Sequence, residues 1–196
     1  MRVLPLLITW AVAASAAGCA GPMLARTPQQ GTVNPRAAAM AAFQERVGAY
    51  LELHMQVAGG LPPLVETSEP VQITAREKAL GEAIRRARAG AQPGDVFGRE
   101  LRPLFEEILR EDWRERTRRS RKAIVAQVPQ RSPLEVNDAY PETQLLATVP
   151  PVLLQRLPRL PEGLEYRLFA RHLILRDVKA NLVVDILRDV LPGGDT

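Results

Sequence analysis

Two histidines, His54 and His172, and a single cysteine, Cys19, are all the imidazole and thiol in this 196-residue chain. No cluster of His, Cys and carboxylate has metal-ligand spacing, so neither a metal nor another cofactor is expected. The chain also has no glycine-rich phosphate loop, no Gly-x-Ser-x-Gly elbow and no His-Glu-x-x-His pair. What remains is carboxylate chemistry, in which one protonated and one ionised acid act as general acid and base. Asp138, Glu142, Asp177 and Asp185 are the candidates in the C-terminal half. Two of them would have to converge in a cleft; otherwise they serve turns and surface. His54 reads as a boundary residue on a helix face, His172 as the cross-strand partner of Phe169, and Ser132 before Pro133 as a turn residue. No catalytic residue is assigned.

Cys19 has a different chemistry. Arg2 supplies a positive start, Val3 to Ala14 form an apolar run, and the small residues Ser15, Ala16, Ala17 and Gly18 follow, which is the order of a secretory signal. The run is too short for a bilayer core needing about 20 residues. Ala16-Ala17-Gly18 before Cys19 resembles the lipobox of bacterial lipoproteins, with Ala16 where Leu is usual. A lone thiol in an oxidising compartment is otherwise a liability. The expectation is a signal peptide over 1–18 and lipid on Cys19, anchoring the chain in the bacterial envelope. The default is the periplasmic side of the outer membrane, because Ala20 offers no inner-membrane retention signal. The alternative is cleavage nearby, for example after Ala14-Ser15-Ala16, releasing a soluble periplasmic protein.

These features need positioning elements. With 46% hydrophobic and 24% charged residues, the composition is that of one globular domain. Aromatic residues are only 5%, so the core rests on aliphatic side chains. Residues 19–36 mix Gly, Pro, Gln and Thr without periodicity and read as a flexible tether to a single α+β domain over 37–192. Its helical part is expected over 37–128 and its Pro-rich and β part over 129–192. Asn34-Pro35 is an N-cap and first helical residue. Phe43, Val47, Tyr50, Leu51 and His54 then recur at helical spacing as far as Gly59-Gly60. A second helix of about 18 residues puts Ile73, Leu80, Ile84 and Ala87 on one face, with Gly90 at its C-cap and Arg85, Arg86 and Arg88 complementing its dipole. A third helix turns Leu101, Leu104, Phe105 and Ile108 inward.

This helix runs into the stretch from Arg110 to Lys122, which holds seven basic and three acidic residues. Glu106–Arg110, Asp112–Arg116 and Glu115–Arg119 are spaced for i,i+4 ion pairs. Arg118, Arg119, Arg121 and Lys122 have few acids left to pair them and form a candidate surface for anionic headgroups. The formal net charge is +4, and +3 once Arg2 is removed with the leader. With export, that leaves a nucleic-acid partner unexpected. The partners expected are the membrane, through lipid on Cys19, and another envelope protein.

Seven prolines fall between Pro129 and Pro161. Between them, Leu134-Glu135-Val136 is predicted as a short strand, Asn137 to Pro141 as a turn, and Pro151 to Leu157 as a short helix. Three alternating runs follow, at Leu164–Phe169, His172–Asp177 and Leu182–Leu187. Turns at Ala170-Arg171 and Val178–Asn181 would pair Leu168 with Leu173, Tyr166 with Leu175, Leu175 with Val184 and Leu173 with Ile186 on one face, and Glu165 with Arg176 on the other. The result is a small antiparallel β-meander after about three helices. Ala170-Arg171 lacks the Gly or Asn that tight hairpins prefer. The alternative makes Lys179 to Val190 a helix.

Gly94-Asp95-Val96-Phe97, Asn137 to Pro141 and above all Pro150 to Ile186 carry a resemblance. The wording PP-x-LL-x-x-LP-x-LP-x-x-LEYR, then LILRD, then ANL-x-VD is similar to a family of uncharacterised exported bacterial proteins. That resemblance implies an exported helical domain with a small C-terminal sheet, and no assigned activity. The reading that follows is an envelope lipoprotein acting as a non-enzymatic binding or structural module. The alternatives are a periplasmic hydrolase using carboxylates and a peripheral binder of anionic lipid.

Overall fold

The computed structural model describes residues 34–63, 69–127, 134–141 and 149–191. The leader, Cys19, most of the tether, Ser132 and Glu142 lie outside the described residues. The fold is α+β, with helices α1 (Pro35–Gly59), α2 (Pro70–Ala87), α3 (Arg102–Glu115), α4 (Arg118–Gln127) and α5 (Pro151–Arg156) before strands β1 (Leu164–Phe169), β2 (His172–Asp177) and β3 (Leu182–Leu187). The three strands form an antiparallel sheet in the order β1-β2-β3.

Asn34 caps α1 as expected, its Oδ1 accepting from the Arg36 N–H at 3.0 Å with Pro35 in the first turn. Ala39, Phe43, Val47 and Tyr50 form the buried stripe of α1. In α2 the buried residues are Leu80, Gly81 and Ile84; Ile73 and Ala87 are exposed, so the predicted face is half as long as expected. The helix also ends before Gly90, on Arg88, whose N–H bonds the Ile84 carbonyl at 2.9 Å. Arg85 and Arg88 do more than complement the dipole. Arg85 Nε donates to the Asn137 carbonyl at 2.9 Å, while Arg88 donates to Asn137 Oδ1 at 3.1 Å and to the Val184 carbonyl at 3.0 Å.

The charged stretch is two helices, not one continuous helix. Thr117 accepts the Ser120 N–H on its Oγ1 and the Arg121 N–H on its carbonyl, starting α4 afresh in a run whose density of arginine hides that cap. Asp112 and Arg116 pair as predicted. Glu106 instead pairs with Arg102 at 2.7 Å, and Glu115 with Arg156 of α5 at 2.6 Å.

The β1–β2 register is the predicted one, with Glu165 opposite Arg176 and Phe169 opposite His172. The Glu165–Arg176 ion pair forms at 2.9 Å. The β2–β3 register departs from expectation. Pairing starts as predicted at Asp177–Leu182 and Arg176–Val183, then slips at a bulge, so Leu175 faces Asp185 and Leu173 faces Leu187. Val184 stays in the helix-side core, whereas Ile186 moves to the opposite face with Ile174 and Val183. The parity change turns Asp185 toward the helices.

Both sheet faces are therefore covered. Helices α1, α2, α3 and α5 pack on one, and the segment around Leu134 and Tyr140 on the other. Leu134-Glu135-Val136 is not a strand. The chain turns over 135–138; the Asn137 N–H and the Asp138 carbonyl bond Val183 of β3, each at 2.8 Å, and the Tyr140 N–H donates to the carbonyl of Asn181, just before β3, at 2.9 Å. Asn137 takes the left-handed conformation, at φ 72°, that this requires. The Ala170-Arg171 turn holds despite its sequence, with Ala170 at φ 50°. The Arg171 carbonyl accepts from the N–H groups of Val190 and Leu191, strapping the chain's return across the turn.

At Gly81 the backbone of α2 lies close against the β2–β3 turn. A Cβ there would lie 2.7 Å from the Ala180 carbonyl oxygen. On an exposed helix, Gly→Ala gains about 1 kcal/mol. Here the sign reverses: Gly81→Ala is expected to lose about 1–3 kcal/mol by overpacking, read as a lower urea midpoint at unchanged slope.

Candidate functional site

Helical spacing puts Tyr50 and His54, four residues apart, on one side of α1. Asp177 ends β2 on the same face as Leu173 and Leu175, against the helices. The three meet there. Tyr50 Oη donates to Asp177 Oδ2 at 2.7 Å, His54 Nδ1 lies 2.6 Å from the same oxygen, and the Ala180 N–H donates to Oδ1 at 3.0 Å. Asp177 is only 1% exposed. Burial alone would push its carboxyl up, but the hydrogen bonds from His54 and Tyr50, with the His54 charge and the Ala180 N–H, outweigh it and hold the carboxyl below the usual range. Burial first, and then the Asp177 charge, raise the Tyr50 hydroxyl far above the ordinary tyrosine value, so Tyr50 is a donor. The Arg88 guanidinium lies 5.2 Å from the Tyr50 ring centroid and braces it from the other side.

The ionised Asp177 carboxylate is acceptor-only, so His54 Nδ1 must carry the proton in this bond. In the neutral form of the ring Nε2 is then unprotonated and accepts, and Nε2 has no partner among the described residues. Such an orienting carboxylate and imidazole can move a proton or accept one hydrogen bond. His54 lines a cleft of about 860 Å³ between α1, α2 and the β2–β3 turn. Leu51, Met55, Ile73, Leu80 and Val178 supply the apolar part of its wall, and Arg76, Glu77, Glu162 and Lys179 also line it. Arg76 closes one end, donating to the carbonyls of Pro62 and Ala58.

The other candidate acids stand apart from this site. Asp185, fully buried, accepts from the N–H groups of Gly94, Val96, Phe97 and Ile186 at 2.7 to 2.8 Å. Asp138 caps its own turn, accepting the Glu135 N–H at 2.8 Å. His172 accepts the Asp189 N–H on Nδ1 at 2.9 Å, and its burial lowers its proton affinity. Arg118, Arg119 and Lys122 are exposed on α4. Arg121 is half-buried instead, with its guanidinium 6.0 Å from the Trp113 ring centroid.

Tyr50 was not singled out in the sequence as a site residue. Its spacing from His54 is visible there, but nothing in the sequence announces an acid 123 positions beyond His54. No family model, curated protein or solved structure matches the chain.

Proposed function

We propose that the chain is an exported envelope protein, anchored by lipid on Cys19, that works as a non-enzymatic binding module. Membership of the exported family that its C-terminal wording resembles belongs to the same proposal. The observation that carries the binding role is the cleft beside His54: apolar side chains in its wall, a fixed polar group and a size within the ordinary range of ligand sites. Met55, Ile73 and Val178 are exposed along it at 64%, 48% and 42%, a concentration of large apolar side chains that marks binding surfaces. A hydrolase built on paired carboxylates has less support. Asp138, Asp177 and Asp185 are each engaged by separate donors and do not converge.

A second reading, peripheral binding of anionic lipid, rests on α4, in which Arg118, Arg119 and Lys122 are exposed and no acid occurs. One experiment tests the anchor and this surface together. The protein recovered from its native membrane fraction is expected to have the mass of a chain beginning at Cys19 plus acyl groups, and Cys19→Ser to shift it to the soluble fraction. An unmodified chain starting elsewhere overturns the anchor. Cys19→Ser protein that still sediments with anionic vesicles, and is released by salt, assigns membrane binding to α4.

A further inference from the structure

We infer that the cleft beside His54 selects a neutral ligand with an apolar chain and an O–H or N–H donor at its head, bonded to His54 Nε2; this rests on the cleft being the binding site. Asp177 sets the preference. Its ionised carboxylate, buried and 2.6 Å from His54 Nδ1, keeps the proton on that nitrogen. In the neutral ring, which alkaline conditions give, Nε2 can then only accept. A ligand burying its head here must donate, or leave an acceptor unpaired at a cost comparable to a lost hydrogen bond.

The charges around the cleft argue for a neutral head. Arg76 from α2 and Lys179 from the β2–β3 turn are balanced by Glu77 from α2 and Glu162 from the turn before β1. Arg76 is committed to the carbonyls of Pro62 and Ala58. A carboxylate head has no proton to donate and would meet the Asp177 charge behind the ring. An ammonium head would donate, but at the cost of desolvating its charge and with Arg76 and Lys179 beside it. The exposed apolar side chains of Met55 and Ile73 match an aliphatic tail.

Three probes of ten-carbon skeleton separate these contributions: 1-decanol donates, decyl methyl ether only accepts, and decanoate is an anion; decylammonium serves as a cationic control. At alkaline pH the purified protein is expected to bind decanol about tenfold tighter than either of the others. The imidazole ¹⁵N spectrum should show Nδ1 protonated throughout and Nε2 shifting toward the hydrogen-bonded position as decanol is added. Acidification, which protonates Nε2, should lower the decanol preference and raise decanoate affinity. In His54→Phe the decanol-to-ether ratio should fall to about one; the spectrum of the unaltered protein decides the matter even if that variant folds poorly. Equal binding of decanol and ether, a proton on Nε2 at alkaline pH, or decylammonium binding tenfold tighter than decanol would overturn the inference while leaving the cleft a binding site. Binding of none of the probes overturns the cleft itself.

Discussion

Asp185→Asn is expected to destabilise the protein by about 3 kcal/mol although it changes one atom. Each carboxylate oxygen receives two backbone N–H groups: Oδ1 those of Gly94 and Ile186, Oδ2 those of Val96 and Phe97. An amide leaves one oxygen and turns an N–H donor at the other pair. Two buried backbone donors then lose their acceptor, each at about 1–3 kcal/mol. Arg46 holds the same loop, donating to the Val96 and Phe97 carbonyls at 2.9 and 3.3 Å, but it cannot replace the lost acceptor. Burial pushes the Asp185 carboxyl above the usual carboxylate range, with the N–H bonds from Gly94, Phe97, Val96 and Ile186 offsetting part of that rise. Urea unfolding of the variant decides which influence governs at neutral pH. A loss near 3 kcal/mol means a carboxylate serving four donors, whereas a loss below about 1 kcal/mol means the acid is already protonated and resembles the amide.

The Asp185 interaction also shows where sequence reasoning stopped. Local signals were legible: the Asn34-Pro35 cap, the extent of α1, the length of α2, the short α5, and β1–β2 down to the Glu165–Arg176 pair. Each depends on residues a few positions apart or on a hairpin whose register one turn fixes. The bulge between β2 and β3 does not, because strict alternation puts Val184 opposite Leu175 and sends Asp185 to the wrong face. The partners it gives Asp185 lie outside the strand, in the N–H groups of Gly94, Val96 and Phe97, some 90 residues earlier. The same reason hid the functions of Arg85 and Arg88. As a sequence they sit in a helix's last turn, and only the fold brings Asn137 within their reach. The sequence supplied both members of the His54–Asp177 pair as separate residues, each with an ordinary reason to exist.

Asp177→Asn is expected to reverse the hydrogen-bonding polarity of the cleft while leaving the protein folded. Asp177 Oδ2 now accepts from both Tyr50 and His54, and Oδ1 from Ala180. If the amide oxygen keeps the Ala180 N–H, the amide nitrogen faces His54 Nδ1 and donates to it. The imidazole proton must then move to Nε2, the wrong tautomer for a ring meant to accept. The imidazole ¹⁵N spectrum should show this exchange directly, and the decanol preference should give way to decyl methyl ether, which accepts. The stability cost should be about 1–3 kcal/mol, because the buried Tyr50 O–H then faces the amide nitrogen and loses its acceptor. Acid titration gives an independent reading with a fixed sign. The Asp177 carboxyl is depressed in the folded state, so its contribution is present above the unfolded value of about 3.9 and is lost as pH falls through the lower folded value. The amide has nothing to protonate there, so the variant's stability should fall less steeply than the unaltered protein's at the acid end. Identical acid slopes would mean that Asp177 does not hold its charge in the fold. Nε2 would then have no fixed polarity, and the cleft would lose its basis for selecting a donor.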